Sequence, residues 1–161
     1  MFYNSKYTKT NRMTKKQIVI AGTFDILHPG HIFLITEAAK LGEVTVVIAR
    51  DENVVHTKGH PVIVPERQRL FMVQALKGVS KAVLGNLGSD FVKIIEELNP
   101  DVLMLGPNQD ISMEQVQNRL REKGLSTRVI RLEALFDEFP LNSTTRIIEK
   151  AFSNQKDRIS Q

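Results

Sequence analysis

The feature that most constrains this chain is an alternation of two patterns. Short apolar runs recur at residues 17–22, 43–50, 81–84, 101–106 and 128–132, and helix-spaced or turn-rich stretches separate them. The run from Glu43 to Arg50 is nearly continuous in β-branched and apolar residues instead of alternating with polar ones, as befits a strand covered on both faces. Strands of that kind in series with helices predict an α/β fold, a doubly wound parallel five-stranded sheet in a single domain. The intervening helices are expected over 30–41, closed by a C′ Gly42, and from Pro65 and Glu66 through Lys77 up to Gly78. Further helices are expected over 90–98, capped by Ser89, and from a Ser112 cap through Lys123 to a stop at Gly124. A last helix opens at Asn142-Ser143-Thr144-Thr145 and carries an apolar stripe of Ile147, Ile148, Ala151 and Phe152. Residues 51–64 read as a functional loop.

Composition matters for what it excludes. There is no cysteine, which removes disulfides, thiolate nucleophiles and zinc–thiolate sites together. The longest apolar runs, Val44 to Ala49 and Val102 to Leu105, are too short to cross a membrane. The first sixteen residues hold Lys6, Lys9, Arg12, Lys15 and Lys16, no acid and no apolar core. They read as a basic flexible tail over 1–16, and a secretory signal is not expected. These five cations exceed the formal net charge of +4, so the domain over 17–153 is close to neutral. No specific nucleic acid and no membrane is expected as a partner, and the cytoplasm is the expected compartment. Residues 154–161 are polar and expected to fray.

In doubly wound sheets, ligands bind beyond the carboxyl ends of the strands, where strand order reverses. The loops after strands one, two and four hold the unusual polar residues here. The first is Ala21-Gly22-Thr23-Phe24-Asp25-Ile26-Leu27-His28-Pro29-Gly30-His31, a strand-to-helix junction suited to phosphate. On residue type alone, His28 and His31 fit structural roles in a turn as well as donors to an anion. A metal pair is weakened, because His56 and His60 are the remaining histidines and cysteine is absent. Neither Gly-x-Gly-x-x-Gly nor a P-loop occurs at this junction, so neither a Rossmann dehydrogenase nor a P-loop enzyme is indicated. Lys58 and Arg69 read as solvated surface cations or as phosphate ligands. Ser143 reads as an N-cap, a phosphate contact, or both.

Several of these segments together resemble the HxGH nucleotidyltransferases, in their cytidylyltransferase-like branch. They are Gly22-Thr23-Phe24-Asp25 with His28-Pro29-Gly30-His31, Ala49-Arg50-Asp51-Glu52-Asn53, Pro65-Glu66-Arg67-Gln68-Arg69, Leu105-Gly106-Pro107-Asn108-Gln109 and Asn142-Ser143-Thr144-Thr145-Arg146-Ile147. The likeness spans roughly residues 17–152 and is greatest to archaeal FAD synthases. It departs from them at Glu138-Phe139-Pro140-Leu141-Asn142, where those synthases carry cysteines. The resemblance implies a Rossmann-like nucleotidyltransferase fold and transfer of AMP from ATP to FMN, giving FAD and pyrophosphate. It implies His28, His31, Lys58 and Arg69 as catalytic. It implies nucleotide contacts from Thr23, Phe24, His28, Pro29, Gly30, His31, Asn108, Asp110, Ser143, Thr144 and Thr145. Mg²⁺ is implied with the triphosphate, no protein metal site is indicated, and a homodimer is implied. Asp25 is expected only to brace its loop. The alternatives are a cytidylyltransferase using CTP and glycerol 3-phosphate, more distantly a pantetheine-phosphate adenylyltransferase, and a non-catalytic nucleotide-binding regulator.

Overall fold

The computed structural model describes residues 15–88 and 90–159. Five strands, β1 (Gln17–Gly22), β2 (Glu43–Ile48), β3 (Val79–Leu84), β4 (Val102–Leu105) and β5 (Arg128–Arg131), alternate with helices. The helices are α1 (Pro29–Ala39), α2 (Asp51–Lys58), α3 (Glu66–Gln74), α4 (Val92–Leu98), α5 (Met113–Glu122) and α6 (Thr144–Ile159). All pairings are parallel and the order is β3-β2-β1-β4-β5. The expected doubly wound sheet is therefore present. Strand order reverses at β1, whose neighbours are β2 and β4, so the crevice for a ligand opens beyond Gly22.

Side-chain alternation feeds two cores. Ile18, Ile20, Val46 and Met104 pack on one face with Ile35 of α1 and Val73 of α3. Val19, Val47, Leu103 and Leu105 pack on the other with Ile95 of α4 and Leu120 of α5. Both faces being covered is the reason these strands read as continuous apolar runs.

Four local expectations change. The segment 51–64 is not all loop, because Asp51–Lys58 forms α2. Asp51 and Glu52 occupy its first turn, and Gly59 ends it at φ 73°. Gly42 is not a left-handed stop, since α1 ends at a right-handed Lys40. A Cβ at Gly42 would run into the Lys16 carbonyl, so close backbone approach is what requires glycine there. The helix expected from 90 begins at Val92, and its expected cap, Ser89, lies outside the described residues. Finally, α6 continues past Phe152 to Ile159 where a frayed end was expected. Its Phe152 is 62% exposed, so the predicted stripe is not buried along its length. The basic tail lies outside the described residues except for Lys15 and Lys16. Among the described residues, no helix is long and apolar enough to cross a membrane.

Candidate active site

The crevice is floored by the β1–α1 junction. Gly22 ends β1, and a Cβ there would sit 2.9 Å from the Phe24 ring, so its absence lets that ring fold back under the loop. Phe24 is buried and adopts φ 51°, a left-handed conformation that costs a non-glycine residue about 1–2 kcal/mol. The packing that holds it also carries His31, whose ring centroid lies 4.9 Å from that of Phe24. The His28 and His31 rings stack at 3.7 Å and 24°. Proline at the first position of α1 suits a helix start, and the His28 side chain makes no cap hydrogen bond. Pro29 carries no N–H and those of His31 and Ile32 donate to the His28 carbonyl at 2.9 and 3.4 Å, so the Gly30 N–H and the partial charge of the helix start are what favour an anion.

Burial sets the charge state of the pair. The His31 pKa falls from 6.5 to about 3, chiefly through burial, with smaller contributions from the charges of His28 and then Lys58. Burial also lowers that of His28. Both imidazoles are neutral at pH 7, and the Nδ1 atom of each is buried without a hydrogen-bond partner among the described residues. Orphaned buried polar atoms cost about 1–3 kcal/mol apiece, so their persistence here marks a site built for something polar.

The walls come from the other strand ends. Asp25 accepts hydrogen bonds from Ile63 N at 3.0 Å and Val64 N at 2.7 Å, which is the bracing role expected of it. Asp51 and Glu66 cap each other's helices. Glu66 Oε2 accepts from Asp51 N at 2.8 Å, and Asp51 Oδ2 accepts from Glu66 N at 3.1 Å. This reciprocal cap fixes α2, and with it Lys58, which ends the helix and is exposed.

Arg69 does not occupy the expected phosphate-facing position. It is 1% exposed, and its guanidinium donates to the carbonyls of Thr23, Val64 (2.8 Å) and Ala49 (2.8 Å) and to Asp51 Oδ1 (2.5 Å). It ties the ends of β1 and β2 to α2 and α3, so it positions the site and is not presented to a ligand. Sequence reasoning could not see this, because its four partners come from three separate loops.

The β4 loop shows a comparable exchange of roles. Asn108 and Asp110, the expected nucleotide contacts, are exposed on it. Gln109 between them joins β4 to β1, with Nε2 donating to Ala21 O (2.8 Å) and Oε1 accepting from Gly106 N (2.7 Å). Arg131 closes the loop by donating to the carbonyls of Gly106, Gln109 and Ile111. Neither was singled out as a site residue, although Gln109 belongs to the Gly-Pro-x-Gln string.

Ser143 acts as the N-cap of α6, its Oγ accepting from Arg146 N at 3.3 Å, and Thr144 and Thr145 begin the helix. The lead-in to α6 reaches the histidines through Gly30, where a Cβ would lie 2.9 Å from Asn142 O and 3.1 Å from the His28 ring. The structure therefore brings together Thr23, Phe24, His28, Pro29, Gly30 and His31, with the start of α6 beside them. Among the described residues, no group of three or more His, Cys, Asp or Glu side chains could hold a metal.

A family model described as cytidylyltransferase-like matches residues 19–150. The chain is 44% identical over 146 residues to the FAD synthase of Archaeoglobus profundus, covering 90% of this chain and 92% of that protein. It is 52% identical over 124 residues to the FAD synthase of Methanolacinia petrolearia, covering 76% and 82%. Among solved structures, the lipopolysaccharide core biosynthesis protein of Thermoplasma volcanium superposes with a TM-score of 0.71 at 35% identity, covering 76% of this chain and 98% of that one. A pantothenate synthetase from Thermus thermophilus shares 14% identity at a TM-score of 0.55, covering 83% of this chain and 61% of that one, a likeness of fold alone.

Proposed function

The chain belongs to the cytidylyltransferase-like family, and on that premise we propose that it transfers AMP from ATP to FMN, releasing pyrophosphate and forming FAD. The observation that carries the reading is the stacked, neutral histidine pair at the uncapped start of α1, set at the reversal point of the sheet. Its likeness to archaeal FAD synthases supplies the substrates.

The chemistry asks little of a base. The FMN phosphate is already anionic, one of its oxygens bonds to the α-phosphorus, and the bond from that phosphorus to the pyrophosphate oxygen breaks. What the protein must supply is position and relief of charge. His28 and His31, being neutral, each offer one N–H to the α-phosphate oxygens as charge accumulates there. The Gly30 N–H at the start of α1 adds to this, and Ser143, Thr144 and Thr145 at the start of α6 extend the same favourable field. Lys58, presented by α2 and electrostatically coupled to His31, neutralises the transferring phosphates. Asn108 and Asp110 line the edge where the nucleoside lies.

Mg²⁺ is expected on the triphosphate, where it would offset phosphate charge. It would be held by the triphosphate, because Asp25, the buried carboxylate of the floor, is already engaged by the Ile63 and Val64 N–H groups. A cytoplasmic homodimer belongs to the same reading.

The decisive assay crosses ATP or CTP with FMN or glycerol 3-phosphate and reads pyrophosphate release. Turnover is expected with ATP and FMN. Turnover restricted to CTP and glycerol 3-phosphate would replace the reading, and nucleotide binding without turnover of any pair would make the protein a regulator. His31→Ala should lower turnover by about 10²–10³, the loss seen when one preorganised donor is removed.

A further inference from the structure

The segment between β5 and α6, whose Asn142 carbonyl meets Gly30 of the histidine loop, exposes apolar side chains. Leu135 is 60% exposed, Phe139 50% and Leu141 40%. Three rings also run in series there. Phe33 of α1 is tilted against Phe136 at 5.4 Å, and Phe136 against Phe139 at 5.6 Å. This run is fixed to the phosphate floor through one residue. Asn142 Nδ2 donates to the Phe136 carbonyl at 2.5 Å, while the Asn142 carbonyl lies against Gly30, on which the His28 ring also packs. Arg146 holds the Asn142 side chain from the other side, its Nη1 donating to Oδ1 at 2.9 Å. The aromatic face and the histidines are thus held in one spatial relation.

We propose that Phe139 and Phe136, backed by Phe33, form the platform on which the isoalloxazine ring of the acceptor stacks. The proposal rests on the reading of FMN as acceptor and adds where its ring binds. An extended tricyclic ring matches a series of aromatic side chains, and offset or tilted stacking is the favoured contact between them. Adenine carries a more polar edge and suits the polar β4 loop with Asn108 and Asp110, while glycerol 3-phosphate has no ring to stack. From the platform, the flexible ribityl chain leads the FMN phosphate past Asn142 to His28 and His31. The Phe139 side chain is the specificity-determining contact, because it is half exposed where Phe136 and Phe33 are partly covered.

The test uses the full chain with Phe139→Ala and Phe139→Trp. Quenching of FMN fluorescence gives FMN affinity without turnover, pyrophosphate release gives KM for each substrate, and light scattering gives the mass. Phe139→Ala should weaken FMN binding and raise its KM by about 10-fold, in line with the loss of one stacked ring, leaving KM for ATP unchanged. Phe139→Trp should restore both. Should the alanine variant be unstable, Phe139→Leu keeps apolar bulk without the ring and should show the same loss. If wild-type protein makes FAD while Phe139→Ala and Phe139→Leu keep the wild-type FMN affinity, the platform is wrong and the FMN reading stands. A rise confined to the KM for ATP would assign the rings to adenine, and a change in mass alone would make the face a subunit contact. Each of these overturns the proposal. Absence of FAD formation by the wild type would remove the FMN reading itself.

Discussion

At His31 a single number links folding to chemistry. Its pKa is 6.5 in the unfolded chain and about 3 in the fold, chiefly through burial. As pH falls below 6.5, the unfolded chain takes up a proton that the folded protein refuses, so stability is lost progressively between 6.5 and about 3. Above 6.5 the group contributes no pH dependence. Denaturant midpoints of the free protein should therefore decline from pH 7 to pH 4.5 more steeply for the wild type than for His31→Asn. The difference between the two curves isolates this group from the carboxylates common to both. Parallel curves would mean that His31 is protonated in the fold. Arg69 supplies the contrast at this scale. Removing it by Arg69→Met orphans three backbone carbonyls and leaves Asp51 unpaired, so a loss of about 3 kcal/mol in urea unfolding is expected. Exposed Lys58→Ala should stay within about 0.5 kcal/mol of wild type in stability while lowering turnover. From the sequence both residues read alike, as cations after strand two. Arginine is seldom fully buried, and the three carbonyls that bury this one belong to Thr23, Ala49 and Val64, far apart in the chain.

At the scale of elements, α2 shows what a sequence holds in plain view and what it hides. Acidic residues in the first turn, His56 and Lys58 in the last and a terminal Gly59 are ordinary helix punctuation. The segment nevertheless read as loop, because it buries little apart from Val54 and so lacks an apolar period. The reciprocal cap between Asp51 and Glu66 that stabilises it joins two helices across a turn, and no local pattern announces that. The strands, by contrast, were legible nearly to the residue, since burial on both faces is written into consecutive side chains such as Val46, Val47 and Ile48. Two glycines separate the two uses of that residue. Gly59 adopts φ 73° with open space around it, so Gly59→Ala costs conformational strain alone, about 1 kcal/mol. Gly42→Ala drives a methyl group into the Lys16 carbonyl and must shift the start of β1. Thermal unfolding should show the larger loss for Gly42→Ala, and equal losses would mean that the Lys16 segment yields without cost.

At the scale of the molecule, the site and the stable core share one address. The histidine loop hangs from β1, the central strand, which pairs with β2 and β4 and is packed on both faces. A loop that keeps two imidazoles stacked benefits from the strand least able to move. The edges differ. The outer strand β3 is covered less completely, and α6 leaves Phe152 exposed. Local opening in proteins follows buried contact density, with core strands exchanging only by global unfolding. Amide hydrogen exchange of the free protein should thus rank Ile18–Ile20, Val44–Ile48 and Leu103–Leu105 slowest, with α6 beyond Phe152 exchanging fastest among the helices. A ligand that binds only the folded state stabilises by RT ln(1 + [L]/Kd), about 2.7 kcal/mol at a hundredfold excess over Kd. ATP at that excess should slow exchange in the β1, β2 and β4 strands together, because they open by the same global event. It should slow the start of α6 as well, because the proposed reaction puts Ser143 to Thr145 against the phosphates. Were α6 to exchange unchanged while the strands slow, its N-terminus would stand outside the nucleotide site, and the phosphate contacts would fall to α1 and Lys58 alone.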